Sequence, residues 1–219
     1  MHPRGKNGFA AAGGLPGEGA RRPSAIRGQL GRMAALALWV CLYVWGGVAR
    51  TYAEDVAVPL SMQVQLFASV ADYDKGFAER AHGKAKILLL TANDPDSAHA
   101  AAQVTAALAR IGQIAGQAHE ETVIQFESGG ALLRQCRERA ISVVFVMPGL
   151  QAALGDIRHS LDGVNVLSVA TVGSYVQQGV VLGFDVVSGK PKLLVNLAQA
   201  RAQKVNFKAE LLKMVKVVE

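Results

Sequence analysis

Residues 180–197, VVLGFDVVSGKPKLLVNL, decide the fold. Two β-rich apolar runs flank Ser188-Gly189-Lys190-Pro191. Gly189 supplies the positive φ that a tight turn needs, and Pro191 is tolerated only at the start or edge of a strand. The stretch therefore predicts an antiparallel hairpin, with strands over residues 180–187 and 192–195. Asn196 closes the second strand and is placed to N-cap a short helix over residues 197–200. Gly183, Gly189 and Asn196 are read as backbone-geometry residues of this motif, not as catalytic groups.

Upstream of the hairpin, strand and helix signals alternate. Residues 59–81 carry apolar side chains at Leu60, Val64, Phe67, Val70 and Phe77, the period of a helix with one buried face. Asp72 and Asp74 fall at its solvated end, two residues apart and so on different sides of a helix. Residues 86–91, KILLLT, and 141–147, ISVVFVM, are continuous apolar runs, as expected of strands covered on both faces. Weaker strands are expected over residues 121–126 and 164–170. Between them, Asp94 before Pro95 makes a helix start, with Val104, Leu108 and Ile111 as its buried stripe. Ser128-Gly129-Gly130 starts a helix whose Leu132, Leu133 and Cys136 face inward. Leu150, Leu154, Ile157 and Leu161 line another. Residues 171–179 read as a loop, and residues 209–215 as a closing helix or extended tail. Such alternation predicts a three-layer α/β domain: a mostly parallel sheet with helices on both faces and a C-terminal antiparallel β-hairpin as its edge.

The chain has 219 residues and a formal charge of +6. Seven basic residues and one acid lie within residues 1–53, leaving sixteen basic and sixteen acidic residues in the remainder. The basic balance thus belongs to the leader and is not the footprint of a nucleic-acid-binding surface. Residues 33–48, MAALALWVCLYVWGGV, are uncharged and apolar, and shorter than the ~20 residues of a spanning helix. Thr51-Tyr52-Ala53 follows with small residues at the positions a signal peptidase reads. A basic region, a short apolar run and a small-x-small site predict a signal peptide over residues 1–53, cleaved after Ala53. A single domain over residues 54–219, placed in the periplasm, is the resulting expectation. It keeps Cys136 as its one thiol, a small apolar side chain in the core.

Catalytic patterns are missing. His82, His99, His119 and His159 show no H-x-x-x-H spacing, and neither G-x-S-x-G nor a phosphate-binding glycine motif occurs after residue 53. Asp94 and Asp96 are explained by helix capping without a metal. No catalytic, cofactor or metal residue is assigned, and no enzyme activity is expected. In open α/β sheets ligands bind beyond the carboxyl ends of the strands. The loops there, residues 93–97, 128–130, 147–149 and 171–177, supply the candidate partner or ligand contacts Asn93, Asp94, Ser97, Gly129, Pro148, Thr171 and Tyr175.

Val166-Leu167-Ser168-Val169, then Gly179-Val180-Val181-Leu182-Gly183-Phe184, Ser188-Gly189-Lys190, Leu194-Val195-Asn196-Leu197 with Ala200, and Leu211-Leu212-Lys213 with Val217 together resemble the YfiR family (DUF4154 domain). The helix over residues 64–74 is similar in placement to that family's opening helix but lacks its Trp-Pro. Lys208-Ala209-Glu210 replace its serine. The resemblance implies a periplasmic regulator that binds the periplasmic domain of an inner-membrane diguanylate cyclase and holds it down, with effects on cyclic-di-GMP and biofilm behaviour. A homodimer is left open. A periplasmic solute-binding protein is the alternative expectation.

Overall fold

The computed structural model describes residues 57–218. The expected signal peptide, its apolar run, the cleavage site after Ala53 and Cys41 lie outside the described residues. Within them, α1 (Leu60–Ala71) and α2 (Phe77–Ala81) precede β1 (Lys84–Thr91), α3 (Pro95–Leu108), β2 (Ala118–Gln125) and α4 (Gly129–Glu138). There follow β3 (Val143–Val146), a 3₁₀ turn (Gln151–Ala153), α5 (Leu154–Leu161), β4 (Leu167–Ala170) and a longer 3₁₀ helix (Gly173–Gln178). The chain closes with β5 (Leu182–Val187), β6 (Lys190–Asn196), α6 (Leu197–Ala202), α7 (Ala209–Leu212) and β7 (Lys216–Val218).

The seven strands form one sheet in the order β2-β1-β3-β4-β5-β6-β7. β1 to β5 pair in parallel, and β5 and β6 pair antiparallel. Successive residues of a strand face opposite sides, so the apolar runs feed two cores. Ile87, Leu89, Val143 and Phe145 point to the core under α1, α2 and α3. Leu88, Leu90, Val144 and Val146 point to the core under α4 and α5. The three-layer α/β architecture with its C-terminal hairpin is as the sequence predicts. Phe67 of α1 meets Phe145 of β3 edge to face, with ring centroids 5.0 Å apart. Pairs of this geometry add about 0.5–1.5 kcal/mol beyond area burial.

Three expectations need correction. The helix over residues 59–81 is two helices. Between them, Lys75 N–H donates to Asn206 C=O at 2.9 Å and Lys208 N–H to Tyr73 C=O at 2.8 Å, and this pairing with the chain before α7 breaks the helical run. Asp74 is therefore buried, not at a solvated helix end. Its carboxylate pairs with the buried Arg80 guanidinium. Arg80 also donates to Ser142 C=O and Asn165 Oδ1, both at 3.1 Å. Second, the turn is Ser188-Gly189 alone, with φ of 51° and 74°, the two positive values of a type I′ hairpin turn. Pro191 then lies inside β6, opposite Val186. In such a hairpin Val187 and Lys190 form the hydrogen-bonded pair beside the turn, so the nitrogen at Pro191 points outward, where no ladder bond is lost. Third, the hairpin is not the edge. Residues 216–218, just beyond the stretch read as a closing helix or tail, form β7, which pairs in parallel with residues 194–196 of β6.

Removing one partner of a buried ion pair strands the other charge, at a cost of about 3–5 kcal/mol. Arg80→Ala is expected to lose that much stability in urea unfolding. The double variant Asp74→Leu/Arg80→Met should recover most of it. An Arg80→Ala variant as stable as the parent would remove the pair from the account of this fold.

Candidate functional site

The carboxyl ends of β1 to β4 carry the loops singled out in the sequence. Asn93 is exposed and Asp94 half-buried. The Asp94 carboxylate accepts from Ser97 N–H at 2.7 Å, and the Ser97 hydroxyl accepts from Ala92 N–H at 2.9 Å. This is the N-cap of α3, as predicted. Ser97 itself is fully buried. Gly129 is half-buried in the first turn of α4, where a Cβ would lie 2.3 Å from Ser160 Oγ. Pro148 is buried. Thr171 is buried and donates its hydroxyl to Val146 C=O at 2.9 Å. Tyr175 is fully buried, and its hydroxyl accepts from Leu150 N–H at 3.1 Å.

The expectation of surface contacts is thus corrected for four of these residues. Ser97, Pro148, Thr171 and Tyr175 are buried, and Thr171 and Tyr175 tie their segment to Val146 and Leu150. For Tyr175 the physical reason is that residues 173–178 are helical, not loop. The 3₁₀ helix turns Tyr175 and Val176 into the core under β5. Between β1 and β3 the connections of the sheet diverge to opposite sides, the place where such sheets bind ligands. Here it is filled. Gly149 has φ 85°, and a Cβ on it would lie 2.3 Å from Asp94 Oδ2 and 2.9 Å from Ala92 Cβ. The β1 and β3 loops therefore pack directly on each other.

Open space lies instead beside the hairpin. A cleft of about 370 Å³ runs between the 3₁₀ helix and the sheet edge, with Gln177, Asp185, Leu194, Lys216 and Val218 among its walls. A second, of about 210 Å³, is bounded by Arg158, Asp162, Gln177, Asn196 and Gln199. Asp162 Oδ1 is already engaged by Gln199 Nε2 at 2.9 Å. Lys216 and Val218 were missed in the sequence. The β-branched pair Val217-Val218 was their only signal, too short to separate a strand from a tail.

The hairpin motif behaves as read. Asn196 Oδ1 accepts from Gln199 N–H at 2.9 Å and caps α6, while Nδ2 donates to Val176 C=O at 3.0 Å. Gly183 admits Val176, whose Cγ2 would stand 2.4 Å from an added Cβ.

Chemically reactive groups are not gathered here. Among the described residues no group of three or more His, Cys, Asp or Glu is placed to hold a metal. His119 lies on the β2 edge, its ring nitrogens 2.5 Å from Glu121 Oε1 and 2.7 Å from Ile111 O. Cys136 is buried among apolar side chains of α4 and its neighbours. Burial pushes its thiol up to about 12, and the adjacent Arg137 is exposed and does not offset it.

Fold and clefts define a three-layer α/β domain of strand order 2-1-3-4-5 extended by a hairpin and a short last strand. The family model for YfiR/HmsC-like proteins (DUF4154) matches residues 65–216, and the chain belongs to that family. The family is associated with regulation of inner-membrane signalling proteins. No curated protein matches the chain. Among solved structures, an ABC domain from Streptococcus pneumoniae in complex with L-Trp is similar at 11% identity and TM-score 0.51, over 73% of this chain and 62% of that one. A conserved domain protein from Vibrio cholerae O1 biovar El Tor is similar at 12% identity and TM-score 0.50, over 74% and 60%. The match spans about three fifths of each of these proteins, and at such identity the likeness is one of fold. No helix among the described residues is long and apolar enough to cross a membrane.

The buried thiol gives a pH signature. Its folded value lies above the ordinary value of 9.0, so the folded state holds this proton more tightly. That contribution to stability is complete below pH 9 and is lost as pH rises toward about 12. Cys136→Ala should flatten the alkaline fall of stability relative to the parent. The native parent should resist thiol reagents that label it fully when unfolded. An equal alkaline fall in both proteins would contradict the assignment.

Proposed function

We propose that this protein is an exported, non-catalytic regulator that binds the periplasmic part of an inner-membrane signalling protein and represses it. The partner we infer is a diguanylate cyclase, so that the protein lowers cyclic-di-GMP and restrains biofilm formation. The observation that carries this reading is membership of the YfiR/HmsC-like family over residues 65–216. It is supported by the neutral balance of residues 54–219 and by the signal pattern of residues 1–53. The proposed docking surface is the hairpin side of the domain, where both clefts lie.

A second reading, a solute-binding protein, rests on the cleft of about 370 Å³. The filled space between the β1 and β3 loops weighs against it. A ligand at 100 times its Kd adds about 2.7 kcal/mol of stability, which a thermal-shift screen of small solutes detects.

Deletion of the gene is expected to raise cellular cyclic-di-GMP, with restoration by the full chain. Unchanged cyclic-di-GMP together with a solute that stabilises the protein would overturn repression in favour of the second reading.

A further inference from the structure

The last part of the hairpin stands apart from the sheet. β4 pairs with β5 only at Val169–Leu182, and β7 reaches β6 only at residues 194–196. Gly173 closes over Phe184 and Asp185. Beyond that point residues 186–191 have no strand neighbour except each other, and all six are exposed. Two of them are valines, Val186 at 40% and Val187 at 42% exposure. Being adjacent on a strand, they point to opposite faces of the ribbon. A groove on a protein covers one face of such a ribbon. An apolar tip with a valine on each face fits a medium that surrounds it.

Charge points the same way. Residues 185–219 hold seven of the sixteen basic residues that follow the leader, against three acids, whereas residues 54–184 hold nine against thirteen. Three of the seven, Arg201, Lys204 and Lys208, lie at the far end of the sheet, where Gly163 N–H donates to Ala202 C=O and Lys208 Nζ to Asp72 C=O; the other four, Lys190, Lys192, Lys213 and Lys216, belong to the hairpin side. Lys190 is in the tip, and Lys192 donates to Met214 C=O at 3.0 Å, which brings Lys213 and the 53% exposed Met214 alongside. Lys216 follows on β7. Of the acids at the same end of the sheet, Asp185 lies on β5 opposite Lys192, and Asp94, Asp96 and Glu127 belong to the β1 and β2 side. β1 lies three strands from β5, about 14 Å at the usual strand spacing. The chain also enters the domain at this end: Gln63 Nε2 donates to both Val58 C=O and Thr171 C=O at 2.9 Å, and Ala57 lines the cleft with Asp185.

We propose that the hairpin tip, residues 186–191, docks on an anionic phospholipid bilayer, with Val186 and Val187 entering the headgroup boundary and Lys190, Lys192, Lys213 and Lys216 facing the lipid phosphates. Interfacial attachment of this kind combines a small apolar insertion with basic side chains. It holds the domain at the surface where a membrane partner would be met, and it goes beyond the regulatory reading without depending on which protein that partner is.

The test uses protein isolated in the form that cells accumulate, sedimented with phosphatidylglycerol–phosphatidylethanolamine vesicles and with phosphatidylcholine vesicles. The expected result is binding to the anionic vesicles only, weakened as salt shortens the Debye length from about 30 Å at 0.01 M to about 8 Å at 0.15 M. Lys190→Glu should lower the bound-to-free ratio at least about fivefold, since one cation near an anionic surface contributes about that factor. Val186→Asp/Val187→Asp should lower it further. These side chains are exposed, so unchanged unfolding midpoints are expected, and Lys190→Glu alone decides if the double variant does not fold. Absence of binding to anionic vesicles, equal binding to phosphatidylcholine, or tip variants that bind like the parent would overturn the proposal. Tip variants that keep vesicle binding but lose crosslinking to a membrane protein would also overturn it, and would assign the tip to a protein contact instead.

Discussion

The sheet passes from its parallel half to its hairpin through one residue pair, Val169–Leu182. That joint is the constraint on which the C-terminal third depends. A ladder this short leaves buried backbone groups without strand partners, and such groups must be satisfied another way. Side chains do it. Ser168 Oγ accepts from Val181 N–H at 3.0 Å, and Gln203 Oε1 accepts from Ser168 N–H at 3.1 Å. Asn196 N–H donates to Val181 C=O at 2.8 Å, and its side chain reaches Val176 C=O. α6 is thereby fixed at both ends, by Asn196 as its cap and by Gln203 just beyond it. Polar residues here stand where a longer strand would have supplied ladder bonds.

A short joint also makes room. Because β4 ends at Ala170, the chain can fold the 3₁₀ helix Gly173–Gln178 against β5 and β6, and both clefts open along it. The usual ligand position between β1 and β3 is meanwhile filled by Asp94 against Gly149. Accessible surface with shape and charge is thus displaced from the middle of the sheet to its hairpin side.

What could be read from the sequence was whatever a few neighbouring residues decide. The Asp94 and Asn196 caps, the Gly189 turn and the burial of Cys136 each follow from local pattern and are found as read. The alternation of apolar runs sufficed for the three layers. What escaped depends on partners far along the chain. Arg80 and Asp74 look like surface charges until Ser142 and Asn165, 62 and 85 residues beyond Arg80, supply the rest of their shell. Tyr175 reads as loop because a six-residue 3₁₀ helix has too little periodicity to reveal which side is buried. β7 is three residues long and becomes a strand only because β6 is beside it.

The central claim is that the hairpin side meets a membrane protein. A photo-crosslinking amino acid at the exposed Gln177, which borders both clefts, tests it against the same probe at the exposed Val123 on the opposite edge of the sheet. Capture of one inner-membrane signalling protein from position 177 and not from 123 is the result this account predicts. Capture from position 123 alone, or of no membrane protein from either position, would contradict it.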